Sequence, residues 1–146
     1  MSPPRRKGVE EDFKVMDGRL VLFAHGSADP VWQETFHKMV RELCAELGER
    51  SVAVAFMERA EPTLLQTIGR AAADGVRTVL VLPMFFSAGG HVSRDIPRLI
   101  EAARSGFPTL QIELLQPVGE HPSFVTLVGR IARVALGGDG KTEPLR

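Results

Sequence analysis

The sequence predicts an α/β fold, a four-stranded, mainly parallel sheet with helices on both faces, built from doubly wound βα repeats. Three observations predict it. Short apolar runs alternate four times with segments of helical periodicity. The connections between them are brief, as βαβ crossovers in a compact sheet require. The runs are apolar with little interruption, which suits strands buried on both faces.

The elements follow in order. "RLVLFA" (19–24) reads as the first strand. Asp29 then stands as a helix N-cap and Pro30 as a first helical residue, whose missing N–H has no partner to lose. Trp32, Phe36, Met39, Val40, Leu43 and Leu47 recur at helical spacing, and Gly48 ends the run. "SVAVAFM" (51–57) is the second strand. Pro62 is expected to open the second helix, with Leu64, Leu65, Ile68, Ala71 and Ala72 facing inward and Asp74-Gly75 closing it. "VRTVLVLPMF" (76–85) is the third strand. Asp95, Ile96 and Pro97 are expected to open the third helix, which ends near Ser105-Gly106. "TLQIELL" (109–115) is the fourth strand. Pro122 opens the last helix, through Phe124, Leu127, Val128, Ile131 and Val134.

The 146 residues suffice for one domain with a real core, placed at 19–136. Residues 1–18 and 137–146 are polar and read as disordered or flexible tails. A formal net charge of zero argues against a nucleic-acid or membrane-surface binder. No apolar run has membrane-spanning length, and the N-terminus has no signal-peptide core, so the expectation is a cytoplasmic protein. The single Cys44 has no partner for an internal disulfide and falls within a helical apolar pattern, as a small core residue.

In open parallel sheets, ligands bind beyond the carboxyl ends of the strands. His25 follows the first strand, Glu58 the second, His91 the third in "FSAGGHVSRD", and His121 the fourth in "QPVGEHP". His121 also reads as helix-start punctuation before Pro122, and His37 as a solvated residue of the first helix. His25, Glu58 and His91 each have a plain alternative as a turn, helix-start or loop residue. Together they are spaced 33 residues apart, one βα unit per step, and can face one crevice. Two imidazoles and a carboxylate suit a first-row divalent ion such as Co²⁺, Ni²⁺, Fe²⁺ or Zn²⁺. The same groups can serve as bases. With no thiolate among them, a closed structural zinc site is not expected.

These residues also carry a family resemblance. "LVLFAHGSADP", "FMERAEPTL", "VLVLPMFFSAGGHVSRDIP" and "PVGEHPSF" resemble the short CbiX/SirB class II tetrapyrrole chelatases, over about residues 19–136. The resemblance implies insertion of a divalent metal (Co²⁺ first, Fe²⁺ or Ni²⁺ as alternatives) into sirohydrochlorin, toward cobalamin or sirohaem. The metal is a substrate, with no ATP and no organic cofactor. His25, Glu58 and His91 would bind it and carry the chemistry. Ser27, Gly89, Gly90 and Arg94, and less directly Arg59 and Arg98, would meet the carboxylate-bearing macrocycle. A homodimer is implied. Ala28 departs from the arginine expected in many relatives, which removes one contact to substrate.

Two other classes compete. A non-catalytic metal carrier or regulator would use the same residues. A phosphotransfer or hydrolytic enzyme would need features that are missing: Ala24 precedes His25 where a phosphohistidine enzyme wants arginine, and neither a G-x-S-x-G elbow nor a P-loop occurs.

Overall fold

The computed structural model describes residues 17–87, 89, 90 and 92–137. Along the chain run β1 (Gly18–Ala24), α1 (Pro30–Leu47), β2 (Val52–Phe56), α2 (Leu64–Ala73), β3 (Thr78–Pro83), α3 (Val92–Gly106) and β4 (Gln111–Leu114). A 3₁₀ turn at Val118–Glu120 and α4 (Pro122–Ala135) follow. Of the expected tails at 1–18 and 137–146, residues 1–16 and 138–146 lie outside the described residues, and Gly18 belongs to β1, where it pairs with Thr78.

All strand pairs are parallel, in the order β2-β1-β3-β4. The chain leaves β1 to one side for β2, then recrosses to the other side for β3. That reversal puts a topological switch point between the carboxyl ends of β1 and β3, where parallel sheets bind ligands.

Alternation along the strands divides the core. Val21, Phe23, Val79, Val81 and Ile112 meet Leu64, Ile68 and Ala71 of α2 and Ile96, Ile100 and Ala103 of α3. On the opposite face, Ala24, Val54 and Phe56 meet Trp32, Phe36 and Val40 of α1. Phe23 and Phe56 are fully buried, each stabilising the fold by about 1.5–3 kcal/mol. Cys44 is half-buried, its thiol donating to the Val52 carbonyl at 3.3 Å.

Local chemistry sets the helix starts. Asp29 caps α1, its carboxylate accepting from Val31 N–H at 2.9 Å, with Pro30 leading the helix as expected. The second helix corrects the expectation. Thr63, and not Pro62, controls its start: the Thr63 hydroxyl accepts from Gln66 N–H while the Gln66 side chain accepts from Thr63 N–H. This reciprocal pair satisfies two donors that a proline start would leave open. Leu65, expected inside, is 43% exposed, and Thr67 is buried instead with its hydroxyl on the Val54 carbonyl at 2.9 Å. The third helix begins at Val92, a turn before the expected Asp95-Ile96-Pro97 start. Pro97 therefore sits inside it, where its missing N–H forgoes one helical hydrogen bond.

His37 is also corrected. It is half-buried, its ring edge-on to Phe56 at 6.0 Å, because α1 lies over β2. On the exposed surface of α1, the hydrogen bond and charge of Arg41 hold the Glu34 carboxyl below its ordinary range. At the amino edge of the sheet, the buried Arg19 guanidinium donates to Asp74 Oδ2 at 2.9 Å and to the Arg50 carbonyl at 2.8 Å.

Candidate active site

The parallel register brings three strand ends to one level. Ala24 stands opposite Phe56, and Phe23 opposite Pro83. The ladder continues one step past the strands: Met57 N–H donates to the Ala24 carbonyl at 2.9 Å, Glu58 N–H to the His25 carbonyl at 3.1 Å, and Met84 N–H to the Phe23 carbonyl at 2.8 Å. His25 and Glu58 therefore leave adjacent strands side by side. His25 Nε2 lies 3.2 Å from Glu58 Oε1.

Gly26 makes this approach possible. Its φ is +104°, and a β-carbon there would fall 1.7 Å from the Glu58 carbonyl oxygen. Any side chain would drive the two strand ends apart. Phe85 supplies a wall that the sequence reading did not single out: its ring meets His25 edge-on at 6.2 Å and Phe23 at 6.4 Å. Nothing local in the sequence marks this contact, because it joins segments 60 residues apart. The 3₁₀ turn closes on the same loop, with Gly119 N–H donating to the Phe85 carbonyl at 2.9 Å and a β-carbon at Gly119 falling 2.2 Å from Phe86 Cα.

The other expected site residues are placed as follows. His91 lies outside the described residues. Ser27 is half-buried at the start of α1, its hydroxyl accepting from Asp29 N–H at 3.1 Å and its carbonyl from the Gln33 amide at 2.8 Å. Gly89 and Gly90 are exposed in the loop after β3, Gly90 with φ +74°. Arg94 is exposed in the first turn of α3, and Arg98 one turn on. Arg59 is exposed beside Glu58 with a left-handed backbone, φ +58°. Ala28 is exposed. His121 is apart from this group in role: it caps α4, its Nδ1 accepting from Ser123 N–H at 3.2 Å.

The His25 and Glu58 side chains are 56% and 51% exposed. They are open to an incoming ion and to a planar ligand laid across the edge. An imidazole nitrogen and a carboxylate oxygen at this separation can share a proton or turn together onto one divalent cation. Among the described residues, no three His, Cys, Asp or Glu side chains gather as a metal cluster. The pair alone leaves most of a metal's coordination positions for other ligands. No helix among the described residues is long and apolar enough to cross a membrane.

Comparison with known proteins extends this picture. The chain is 38% identical over 82 residues to the sirohydrochlorin cobaltochelatase of Methanopyrus kandleri, covering 56% of this chain and 57% of that protein. The chain thus spans a little over half the length of that relative. It is 30% identical over 124 residues to the sirohydrochlorin cobaltochelatase of Methanosarcina barkeri, covering 80% of this chain and 95% of the relative. Its fold superposes on the crystal structure of a CbiX protein from Marinobacter aquaeolei VT8 with a TM-score of 0.73 and 35% identity, over 82% of this chain and 98% of that one. It superposes on cobalt-bound SirB from Bacillus subtilis subspecies spizizenii with a TM-score of 0.66 and 24% identity, over 81% of this chain and 51% of that one. Residues 19–134 match the CbiX family, and the chain belongs to it.

Proposed function

We propose that this chain is a sirohydrochlorin chelatase, inserting Co²⁺, or alternatively Fe²⁺ or Ni²⁺, into the macrocycle without ATP or an organic cofactor. The observation that carries the reading is the His25–Glu58 pair, 3.2 Å apart and half-exposed at the strand ends of a CbiX-family chain. The family's relatives in Methanopyrus and Methanosarcina bear the cobaltochelatase name, which supports the substrate and the metal.

Insertion exchanges two pyrrole N–H protons for one divalent ion, so the site must both deliver a metal and accept protons. In this reading His25, Glu58 and His91 hold the incoming ion. A set of one carboxylate and two neutral imidazoles releases it more readily than a closed thiolate shell would. As the ring nitrogens take the metal, the freed imidazole and carboxylate receive the protons. Arg94 meets substrate carboxylates, with a fork geometry suited to them. The Ser27 hydroxyl, which accepts from Asp29 N–H, keeps its own hydrogen to donate to substrate. Gly89 and Gly90 let the His91 loop approach the ring closely. The protein acts as a cytoplasmic homodimer in cobalamin or sirohaem formation, and residues 19–136 are its single domain.

The test is an anaerobic absorbance assay of the purified chain with sirohydrochlorin and Co²⁺, repeated with Fe²⁺ and Ni²⁺. A spectral change faster than the protein-free blank supports insertion. Folded protein that binds Co²⁺ tightly and accelerates nothing would overturn it in favour of a metal carrier.

A further inference from the structure

We propose that Phe85 is a positioning residue for His25: its ring, locked onto the core, holds the imidazole where Nε2 faces Glu58 and an incoming divalent ion. The proposal deepens the metal-site reading of His25 given above and rests on it.

His25 needs an anchor that Glu58 cannot supply. The two side chains are 56% and 51% exposed and 3.2 Å apart. Ordering both costs side-chain entropy that an exposed contact returns only in part. A change of rotamer at His25 would swing Nε2 away from Glu58. Phe85 meets the imidazole edge to face, with ring centroids 6.2 Å apart and planes at 84°. That arrangement is favoured between π-systems and depends on orientation, so it selects among the ring's positions.

Phe85 is itself held fast. Its ring meets Phe23 edge to face at 6.4 Å and 84°, and Phe23 is fully buried. Phe23 and His25 are two residues apart on a ladder that continues to the His25 carbonyl, so they project to one side of the sheet and one ring spans both. The backbone is pinned on either side of that ring. Met84 N–H donates to the Phe23 carbonyl at 2.8 Å, and the Phe85 carbonyl accepts from Gly119 N–H at 2.9 Å. A β-carbon at Gly119 would fall 2.2 Å from Phe86 Cα, so the 3₁₀ turn sits directly against this segment. Phe86 is 74% exposed, whereas Phe85 packs against the core cluster. A rigid line therefore runs from the core through Phe85 to a half-exposed imidazole.

The experiment uses the full chain and Co²⁺ alone, with no macrocycle. Phe85→Leu keeps most of the apolar volume and removes the ring. Titration calorimetry is expected to give it a Co²⁺ Kd about tenfold above the wild type. Combined with His25→Ala, it is expected to bind within about twofold of His25→Ala alone, because no imidazole is left to position. An unchanged Kd in Phe85→Leu would overturn the proposal. So would an equal loss in both backgrounds, which would mark a general loosening of the fold. In the metal-free wild type, vicinal NMR couplings about His25 χ1 are expected to report one rotamer. Averaged couplings would overturn the proposal, and this readout stands even if Phe85→Leu does not fold. A wild type that binds Co²⁺ but inserts none would overturn the chelatase and leave the positioning role. A wild type that binds no Co²⁺ would overturn both.

Discussion

A β-carbon at Gly26 would stand 1.7 Å from the carbonyl oxygen of Glu58. The contact between the ends of β1 and β2, and with it the meeting of His25 and Glu58, depends on that missing atom. Gly26→Ala is expected to destabilise the protein by about 3 kcal/mol, since backbone must move and the φ of +104° disfavours any side chain. Thermal unfolding should show a Tm lower by about 10 °C. A Tm within about 2 °C of the wild type would contradict the close approach.

Because the His25 and Glu58 side chains are half-exposed, losing either should leave the fold intact. Their loss should instead weaken Co²⁺ binding. His25→Ala and Glu58→Gln are each expected to raise the Co²⁺ Kd by about 10- to 100-fold. Titration calorimetry reads the affinity, and circular dichroism confirms the fold. Unchanged affinity in both would remove the pair from the metal site.

The backbone at Arg59 is left-handed, a conformation that costs any residue with a β-carbon about 1–2 kcal/mol. Comparing Arg59→Gly with Arg59→Ala isolates this cost, since both lose the guanidinium. The glycine variant is expected to be more stable by about 1 kcal/mol in urea unfolding. An alanine variant of equal or greater stability would show that the turn after Glu58 relaxes.

At the far edge of the sheet, Arg19 and Asp74 are expected to matter for stability and not for metal insertion. The Arg19 side chain is 8% exposed and its ion pair with Asp74 is 2.9 Å long. Asp74→Asn strands a buried guanidinium, although the Arg50 carbonyl still accepts from it. With Asp74 36% exposed, the cost is expected near 2 kcal/mol. Chemical denaturation measures this, and the rate of metal insertion by the folded variant should equal that of the wild type. A slowed rate would mean the two edges are coupled.

The legible parts of this fold are those written in local chemistry. Asp29-Pro30 announces α1 because cap and proline act within one turn. The uninterrupted apolar runs announce a parallel sheet because both its faces are covered. With parallel order granted, His25 and Glu58 fall at neighbouring strand ends. Competing local signals misled elsewhere. Pro62 resembles a helix opener, yet the Thr63–Gln66 pair, beginning one residue later, sets the boundary at Leu64. Pro97 looks like a first-turn residue, but α3 begins earlier and absorbs it. Contacts between distant segments left no mark in the sequence: Phe85 against His25, Gly26 against Glu58, Arg19 against Asp74. Periodicity showed that α4 has an apolar face but could not show that the rest of the chain leaves it uncovered.

A part for His25 in metal insertion at the carboxyl edge of the sheet is tested most directly by the anaerobic rate of Co²⁺ insertion into sirohydrochlorin, measured for His25→Ala beside the wild type, both shown to be folded. The expected result is a wild-type rate well above the protein-free blank and a loss of about 100-fold or more in the variant. A variant that inserts cobalt within about twofold of the wild-type rate would contradict the claim.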